Sequence, residues 1–296
     1  FCLKSFFALA NAFSGLINSI YSLCTDRSKG LWVGTYSGGV NYYSMYNNRF
    51  TLHEPTNYIR ADLGIYGQMT NYSGDKLYIS TEGAGLLEYD VRKKTYQCYR
   101  YHNRSQIKGH NIIKSIVADH SNKLLCGTAE GEVFIFDPST KQFKEYFSLH
   151  QNISVYAIHH DSDGGLWLGT SKGNVGLLYL DKDKKLTSQF RIKGLQQPYT
   201  FPSMRCMLAL GDDIFLLGTR NNGLIRFDAK KREIRTFTKE GRGRMYLPCN
   251  YVASIVKDAR GNIWIGTFGG GLCQYNDKVG IVKTVNQENG LKSDRI

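Results

Sequence analysis

Three long segments combine basic side chains with tyrosine and carry almost no acidic charge. Residues 100–111 read RYHNRSQIKGHN, 191–202 read RIKGLQQPYTFP, and 238–250 read TKEGRGRMYLPCN. Arginine can pair with sulfate or carboxylate in a bidentate manner, and tyrosine can pack on a sugar face, so these segments suit an anionic saccharide. The alternative is that long loops are simply polar. The candidate ligand-binding residues are Arg100, Arg104, Lys108, Arg191, Lys193, Tyr199, Arg220, Arg242, Arg244 and Tyr246.

Other residues that suggest catalysis or metal binding are better explained as structure. His159, His160 and Asp161 are adjacent, and neighbouring residues of a strand point to opposite faces, so the two histidines do not easily face one ion. The run 161–164 (DSDG) resembles the start of a calcium loop without its downstream Glu, and predicts a turn. The chain has no GxSxG, HExxH or GxxxxGK[ST] motif. We expect no catalytic residue, metal site or cofactor.

The composition favours a folded, all-β chain. Hydrophobic residues make up 42% and charged residues 21% of the 296 residues, which is too apolar for a disordered polymer. The 31 glycines against 5 prolines, with 20 tyrosines, suit many short strands joined by tight turns. The net charge of +13 favours an acidic partner such as an anionic glycan, a nucleic acid or a membrane surface, although it also fits a merely soluble basic surface.

A five-residue strand pattern occurs six times and decides the fold. The copies are LWVGT at 31–35, LYIST at 77–81, LLCGT at 124–128, LWLGT at 166–170, FLLGT at 215–219 and IWIGT at 263–267. Their threonines are 46, 47, 42, 49 and 48 residues apart, about the length of one four-stranded propeller blade. The predicted fold is a β-propeller of four-stranded blades, with six repeats visible and a seventh implied.

Each repeat divides into the same four strands. An apolar inner strand precedes the Gly-Thr strand; a glycine-rich bend, a third strand and a more polar outer strand follow it. The repeats are expected at about 14–58, 59–108, 109–151, 152–200, 201–248 and 249–290, with a further blade starting at 291–296. The bend after Gly-Thr and the connection to the next inner strand share one face, so the basic segments are expected there. The remaining turns mix both signs of charge and are expected to form a solvated face.

Tryptophan and cysteine positions follow the repeat. Trp32, Trp167 and Trp264 occupy one blade position, which predicts packing between sheets rather than a sugar-stacking platform. The seven cysteines are irregularly spaced without a CxxC, so they predict neither a disulfide framework nor a zinc site. Several stand where other repeats carry Val, Leu or Ile, and are expected to be small core residues.

The two ends of the chain suggest a piece of something longer. Residues 1–13, which begin with Phe1–Ala12 (FCLKSFFALANA), fit either the remnant of a secretory signal or the last strand of a preceding blade, and the propeller is expected over 14–296. The run 290–296 resembles 15–20, which leads into an inner strand. No apolar run approaches the roughly 18 residues of a membrane span.

The repeats resemble a known family. LWVGTYSGGVNYY at 31–43, DGGLWLGT at 163–170 and GNIWIGTFGGGL at 261–272 are similar to the two-component regulator propeller repeat, which builds the periplasmic sensor half of hybrid two-component regulators in Bacteroidetes. The resemblance covers nearly the whole chain. It is weaker in the second, third and fifth repeats, where Tyr78, Leu125 and Leu216 replace Trp.

The resemblance implies a function as well as a fold. Members of this family have two seven-bladed propellers, an immunoglobulin-like segment, a membrane helix, and cytoplasmic kinase, receiver and DNA-binding parts. Their ligands are typically oligosaccharides, and their output is transcription of polysaccharide-utilisation genes. The implied function is a periplasmic, non-catalytic sensor module of an inner-membrane receptor. Its implied partners are an oligosaccharide, a second propeller and downstream domains of the same receptor, and a second copy in a homodimer.

Two other functions remain open on the sequence alone. The chain could be an interaction or dimerisation scaffold with no small-molecule ligand. A smaller possibility is a propeller-fold polysaccharide lyase that uses tyrosines as acid and base. Nucleic acid is not an expected partner of this region, because the sequence has no recognised DNA- or RNA-binding motif, and any membrane contact is expected only through segments outside the chain.

Overall fold

A computed structural model describes residues 20–25, 31–35, 40–43, 50–53, 65–73, 75–101, 111–119, 121–211, 213–289, 291 and 293–294. Regular structure in these ranges is β-strand, apart from short 3-10 turns at Gly243–Met245 and Gln287–Asn289. The strands form four-stranded antiparallel sheets, and in each sheet the strands are hydrogen-bonded in chain order. The all-β propeller of four-stranded blades that the sequence predicts is confirmed at this level. Phe1–Ala12 lies outside the described residues.

Six such sheets are described, and we number them as blades one to six in chain order. Blades one to three are β1 Ile20–Thr25, β2 Leu31–Thr35, β3 Val40–Tyr43, β4 Phe50–His53; β5 Ile65–Ser73, β6 Lys76–Thr81, β7 Leu86–Asp90, β8 Thr95–Tyr99; and β9 Ile113–Ala118, β10 Leu124–Thr128, β11 Glu132–Asp137, β12 Gln142–Ser148. Blades four to six are β13 Val155–His160, β14 Leu166–Thr170, β15 Leu177–Leu180, β16 Leu186–Thr187; β17 Met204–Gly211, β18 Ile214–Thr219, β19 Leu224–Asp228, β20 Glu233–Phe237; and β21 Val252–Lys257, β22 Ile263–Thr267, β23 Gly271–Asn276, β24 Gly280–Val285.

The chain divides into two compact units, Phe1–Val155 and Tyr156–Ile296. In the first unit, one core cluster surrounds Trp32 and Tyr89 and another surrounds Tyr78 and Phe136. In the second unit, one cluster surrounds Trp167 and Phe227, and another joins blades five and six around Phe237, Val252 and Tyr275. Each unit therefore has its own apolar interior between neighbouring sheets.

The threonine that ends the Gly-Thr strand closes the bend that follows it. In blade five, the Thr219 hydroxyl donates to the carbonyl of Gly223 over 2.7 Å and accepts from the backbone N–H of Asn222. Thr267 makes the same two contacts in blade six, with Gly271 and Gly270. This hydroxyl satisfies backbone groups of a tight bend, which is why the repeat keeps a threonine at a fully buried position.

The tryptophans and several cysteines are buried, as the sequence predicts. Trp32, Trp167 and Trp264 are 2%, 7% and 8% exposed. Trp32 packs against blade two and Trp167 against blade five, which confirms for these two that they lie between sheets. Cys206 and Cys273 are buried in the core, and burial raises their thiol pKa values to about 12 and about 11. These thiols stay protonated near neutral pH and act as small apolar side chains.

Aspartates fold the turns between first and second strands. The Asp161 carboxylate accepts from the backbone N–H groups of Asp163 and Gly165, and Asp258 accepts from Arg260 and Asn262. These contacts confirm that the DSDG run is a turn. No group of three or more His, Cys, Asp or Glu side chains within the described ranges is placed to hold a metal ion.

Two ion pairs of opposite polarity join neighbouring blades at the same strand position. The middle residue of the third strand is Glu88 in blade two and Arg226 in blade five. Glu88 binds Lys141, in the turn between the third and fourth strands of blade three, over 2.6 Å. Arg226 binds Asp277, in the same turn of blade six, over 2.6 and 3.0 Å. We call these contacts the interblade ion pairs. The repeat thus places an ion pair at this position, and the third strand can supply either the acid or the base.

We expect Arg226 and Asp277 to be energetically coupled. The Arg226 side chain is 19% exposed and binds the carboxylate through two nitrogens, whereas Asp277 is 38% exposed, so water screens part of the attraction. A double-mutant cycle with Arg226→Ala and Asp277→Ala should give a coupling free energy of about 1 kcal/mol in urea unfolding. The matched control is Lys193 with Glu233, 3.6 Å apart with side chains 77% and 50% exposed, where coupling should be near zero. Equal coupling in the two pairs would contradict this assignment.

Candidate ligand-binding site

The turns and connections of each blade fall at two ends. We define the upper end of a blade as the bend after the Gly-Thr strand together with the connection into the first strand. The lower end holds the other two turns. At the upper end, the first strand has an irregular register: in blade five Met204 is opposite Thr219 and Cys206 is opposite Gly218. Arg205 is therefore an extra residue in the ladder, a β-bulge, and bulges commonly redirect a side chain.

Arg205 lies in a cluster of aromatic side chains at the upper ends of blades four to six. Its guanidinium carbon is 4.5 Å from the ring centre of Tyr156 and 5.6 Å from that of Tyr251. The ring of Phe268 is 5.2 Å from that of Tyr251, with an angle of 33° between them. Phe268 is 42% exposed. We call Tyr156, Arg205, Tyr251 and Phe268 the upper cluster.

Neighbouring blades supply the upper cluster through equivalent positions of the repeat. Tyr156 and Arg205 are each the second residue of a first strand, and Phe268 directly follows a Gly-Thr strand. The Phe268 N–H donates to the carbonyl of Tyr251, which fixes the bend beside the start of β21. The cluster therefore rests on strand ends held by backbone hydrogen bonds. A cation between two aromatic faces can recognise an anion or the face of a sugar.

The same bulge carries a different pair in the first unit. In blade three, Ile113 is opposite Thr128 and Ser115 is opposite Gly127, so Lys114 is the extra residue. Lys114 is 6% exposed, and its ammonium lies 3.7 Å from the carboxylate of Glu82. This cation is therefore buried and paired with an acid.

Two of the predicted ligand-binding residues, Arg104 and Lys108, lie outside the described residues. Arg100 is exposed directly after β8, at the upper end of blade two. Arg220 is exposed directly after β18, at the upper end of blade five. Its backbone N–H donates to the carbonyl of Ser203. Arg100 and Arg220 thus have the placement that the loop topology predicts.

The segment around Arg191 is placed differently from the prediction. The outer strand β16 has only two residues, after which Phe190 and Tyr199 pair across a loop. The Lys193 N–H donates to the carbonyl of Arg232 in the lower turn of blade five. Arg191 and Lys193 are exposed on this loop, which reaches a lower end instead of staying at an upper end. The short outer strand is the physical reason.

Tyr199 is half-buried against the core instead of lining an open surface. Its ring is 4.9 Å from that of Phe201 in an edge-on arrangement, and burial raises the pKa of its hydroxyl. A role for Tyr199 in ligand binding stays a prediction, as it does for the other predicted residues.

The remaining basic residues of the prediction lie on the loop between β20 and β21. Arg242 and Arg244 are exposed, and Tyr246 is 43% exposed. Arg244 donates to the carbonyls of Ile281 and Val282 over 3.2 and 3.1 Å, and so binds the lower part of the outer strand β24. The structure therefore does not bring Arg244 together with Arg220.

The upper cluster is not among the residues predicted to bind a ligand. The predicted residues lie in long loops that are rich in charge and aromatic side chains, whereas Arg205 lies inside an apolar strand and Phe268 in a glycine-rich bend. A usable signal was present in the repeat alignment. The second residue of the first strand is Tyr21, Lys114, Tyr156, Arg205 or Ala253 in five of the blades, a polar or variable position between apolar neighbours.

The four-stranded sheets and the repeated strand define an all-β propeller fold. Three segments, 14–37, 148–172 and 246–269, match the model of the family described as two component regulator propeller. The chain thus carries regulator-propeller repeats, and the resemblance inferred from its sequence is confirmed.

Known proteins share this fold and, at low identity, its sequence. Histidine kinase P4 of Formosa agariphila is 24% identical over 197 residues, which cover 63% of this chain and 14% of that protein. PorZ, a surface component of the type-IX secretion system of Porphyromonas gingivalis, is 18% identical with a TM-score of 0.70, over 95% of this chain and 43% of PorZ. Virginiamycin B lyase from Staphylococcus aureus is 11% identical with a TM-score of 0.68, over 91% of this chain and 85% of the lyase.

These similarities differ in what they show. The two solved structures share the fold alone with this chain, so the lyase similarity does not carry an activity over to it. The chain spans about one seventh of the length of the histidine kinase that it matches. Within the described part of the chain, no helix has the length and apolarity that crossing a membrane requires.

Proposed function

We propose that this chain is a non-catalytic part of the extracytoplasmic sensor region of a two-component receptor and that it recognises an oligosaccharide. The observation that carries the proposal is the match of three segments to the two component regulator propeller family. The similarity to a histidine kinase supports a receptor whose kinase lies in another part of the protein. Control of polysaccharide-utilisation genes is the proposed output.

The upper cluster supports ligand binding in this proposal. Aromatic faces and a guanidinium are side chains that proteins use to hold sugars and their acidic groups. The ligand can change signalling only if it binds the signalling arrangement of the receptor more tightly than the resting one. A tenfold difference in affinity would shift that equilibrium tenfold, or about 1.4 kcal/mol.

The proposed receptor context also includes location and assembly. We place the chain in the periplasm, as part of an inner-membrane receptor that contains a second propeller and acts as a homodimer. We also infer a further repeat beginning near residue 291. The backbone carbonyl of Asp294 accepts a hydrogen bond from the N–H of Gly271. The carbonyls of Asn111 and Asn250 accept the same bond from Gly85 and Gly223. After Asn111 and Asn250, the first strand of the next blade starts two residues further along the chain.

Calorimetric titration of the complete sensor region with matched neutral and acidic oligosaccharides tests this function. We expect saturable binding of at least one sugar with one site per chain. Arg220→Ala tests the upper end of blade five, and Arg191→Ala and Arg244→Ala test the loops that reach lower ends. If no sugar binds while the region dimerises, the chain is an interaction scaffold and the sensor proposal is wrong.

A further inference from the structure

The two ends of blades four to six differ strongly in acidic charge. Most acidic side chains described within 156–296 belong to the lower turns. These lower acids are Asp161, Asp163, Asp181, Asp183, Asp213, Asp228, Glu233, Asp258 and Asp277, whereas Glu240, Glu288 and Asp294 lie in upper connections. Several of the lower carboxylates fold their turns by accepting backbone N–H groups, so the repeat itself directs acids to this end.

Two of the three upper acids take part in holding their own loops. Glu240 accepts from the side-chain amide of Asn250 over 3.2 Å, and Asp294 accepts from the N–H of Gln287 over 2.6 Å. Basic side chains at the same end are Lys172, Arg205, Arg220, Lys239 and Arg242, so five described cations stand against three acids, which remain charged when hydrogen-bonded. An excess of positive charge at the upper ends of blades four to six attracts and orients an anion.

The described bends of blades two and three are more acidic. Glu82, Glu130 and Glu132 lie in the bends of blades two and three, and Glu82 is paired with Lys114. Glu130 accepts from the hydroxyl of Tyr101 over 2.9 Å. The bulged cation of blade three is thus paired with an acid, and the bulged cation of blade five contacts two tyrosine rings.

We propose that the upper cluster is a subsite for the anionic group of a sugar, with Arg205 binding the carboxylate or sulfate and Phe268 packing on the sugar ring. This inference rests on the proposed function and specifies its ligand as an acidic oligosaccharide. Contacts with Tyr156 and Tyr251 position the guanidinium of Arg205, and a positioned guanidinium can donate paired N–H groups to an oxyanion.

The four side chains divide the work of recognition. Arg205 supplies charge and paired donors, and the two tyrosines restrict its rotamers, which lowers the entropy lost on binding. Phe268 is 42% exposed and packs beside Tyr251, and it offers an apolar face for the C–H groups of a sugar ring. The site therefore requires an acidic group adjacent to a sugar face, which separates uronic acids and sulfated sugars from neutral ones.

Two pairs of probes that differ only in charge test the subsite by calorimetry on the complete sensor region. One pair is tri-galacturonic acid and its fully methyl-esterified form; the other is neocarrabiose 4-sulfate and desulfated neocarrabiose. We expect the charged member of at least one pair to bind at least tenfold more tightly than its neutral partner. The pair that responds shows whether carboxylate or sulfate is preferred.

Variants of the upper cluster assign the effect to Arg205. Arg205→Met should reduce the affinity for the charged probe at least tenfold and remove its advantage over the neutral probe. Arg205→Lys keeps the charge without the planar donors and should lose an intermediate amount. Phe268→Ala should weaken both members of the pair. The matched control is Lys114→Met, at the same bulge in the first unit, which should leave probe affinity unchanged.

The outcomes separate this inference from the function on which it rests. If neutral and charged probes bind equally, or if a folded Arg205→Met variant with unchanged thermal unfolding binds the charged probe as the wild type does, the subsite is wrong and the sensor proposal stands. If Lys114→Met has the same effect as Arg205→Met, the subsite is also wrong. If no probe binds, both proposals fail.

Discussion

Replacement of Gly218 by alanine should lower the free energy of unfolding by about 2–3 kcal/mol, because the new methyl group has no space between blades five and six. A Cβ at this position would collide with Cys206 Sγ and lie 2.7 Å from Val252 Cγ1 and 3.2 Å from Val252 Cβ. Both neighbours are buried. Val252 is β-branched, so no rotamer of its side chain moves the Cβ away, and the inner strand itself would have to shift.

The repeat supplies matched controls for this substitution. At the same blade position, a Cβ on Gly169 would meet Ala157 Cβ at 3.2 Å and Met204 Cβ at 3.6 Å, an ordinary contact, so Gly169→Ala should cost clearly less. Gly173→Ala has no neighbour within 4 Å and should have an effect near zero. Urea unfolding followed by circular dichroism measures all three. If Gly218→Ala and Gly173→Ala lower the free energy of unfolding equally, close packing of the inner strands is not the reason for glycine at position 218.

The blade could be predicted from the sequence because its determinants are local and repeated. The Gly-Thr strand reads as a continuous apolar run, and all five residues of β10, β14 and β22 are buried. The threonine contacts, the aspartate turns and the buried tryptophans each recur at a fixed position, so one interpretation is tested several times within one chain. Because the copies agree, the repeated strand pattern predicts the four-stranded blade.

The candidate site could not be predicted in the same way. The bulge at Arg205 adds one residue to a ladder without changing the apolar pattern on either side of it. The loop at 188–200 reaches the lower end of blade five because the outer strand before it has only two residues, and the sequence pattern does not show that this strand is short. The contacts of Arg244 with β24 join residues 37 and 38 positions apart. Sequence pattern specifies strands, whereas the site depends on register and on contacts between blades.

Replacement of Glu88 by glutamine should destabilise the chain by about 2 kcal/mol near pH 7. The carboxylate accepts from Lys76, Lys141 and Tyr78, each over 2.6 Å, and its side chain is 8% exposed. Burial alone would raise its pKa, but the hydrogen bonds from Lys141, Lys76 and Tyr78 outweigh burial and lower the pKa from 4.5 to about 2. This depression corresponds to about 3 kcal/mol, which we reduce because both lysines are about a third exposed.

The pH dependence follows from the sign of this shift. Because the folded pKa of Glu88 lies below its ordinary value, its stabilisation is fully present above about pH 4.5 and is lost as the pH falls through about 2. The difference in unfolding free energy between the wild type and Glu88→Gln should therefore be constant from pH 5 to 7 and shrink between pH 4.5 and 2.

Urea unfolding at several pH values measures this difference, with Glu145→Gln on the exposed face of β12 as the control. The control should show little change in stability and no comparable pH dependence. Glu88 joins blades two and three as Arg226 joins blades five and six, so loss of its charge should loosen packing between sheets while each sheet keeps its own ladder. A Glu88→Gln effect that stays constant down to pH 2 would mean that the shape of the side chain, and not its charge, stabilises this position.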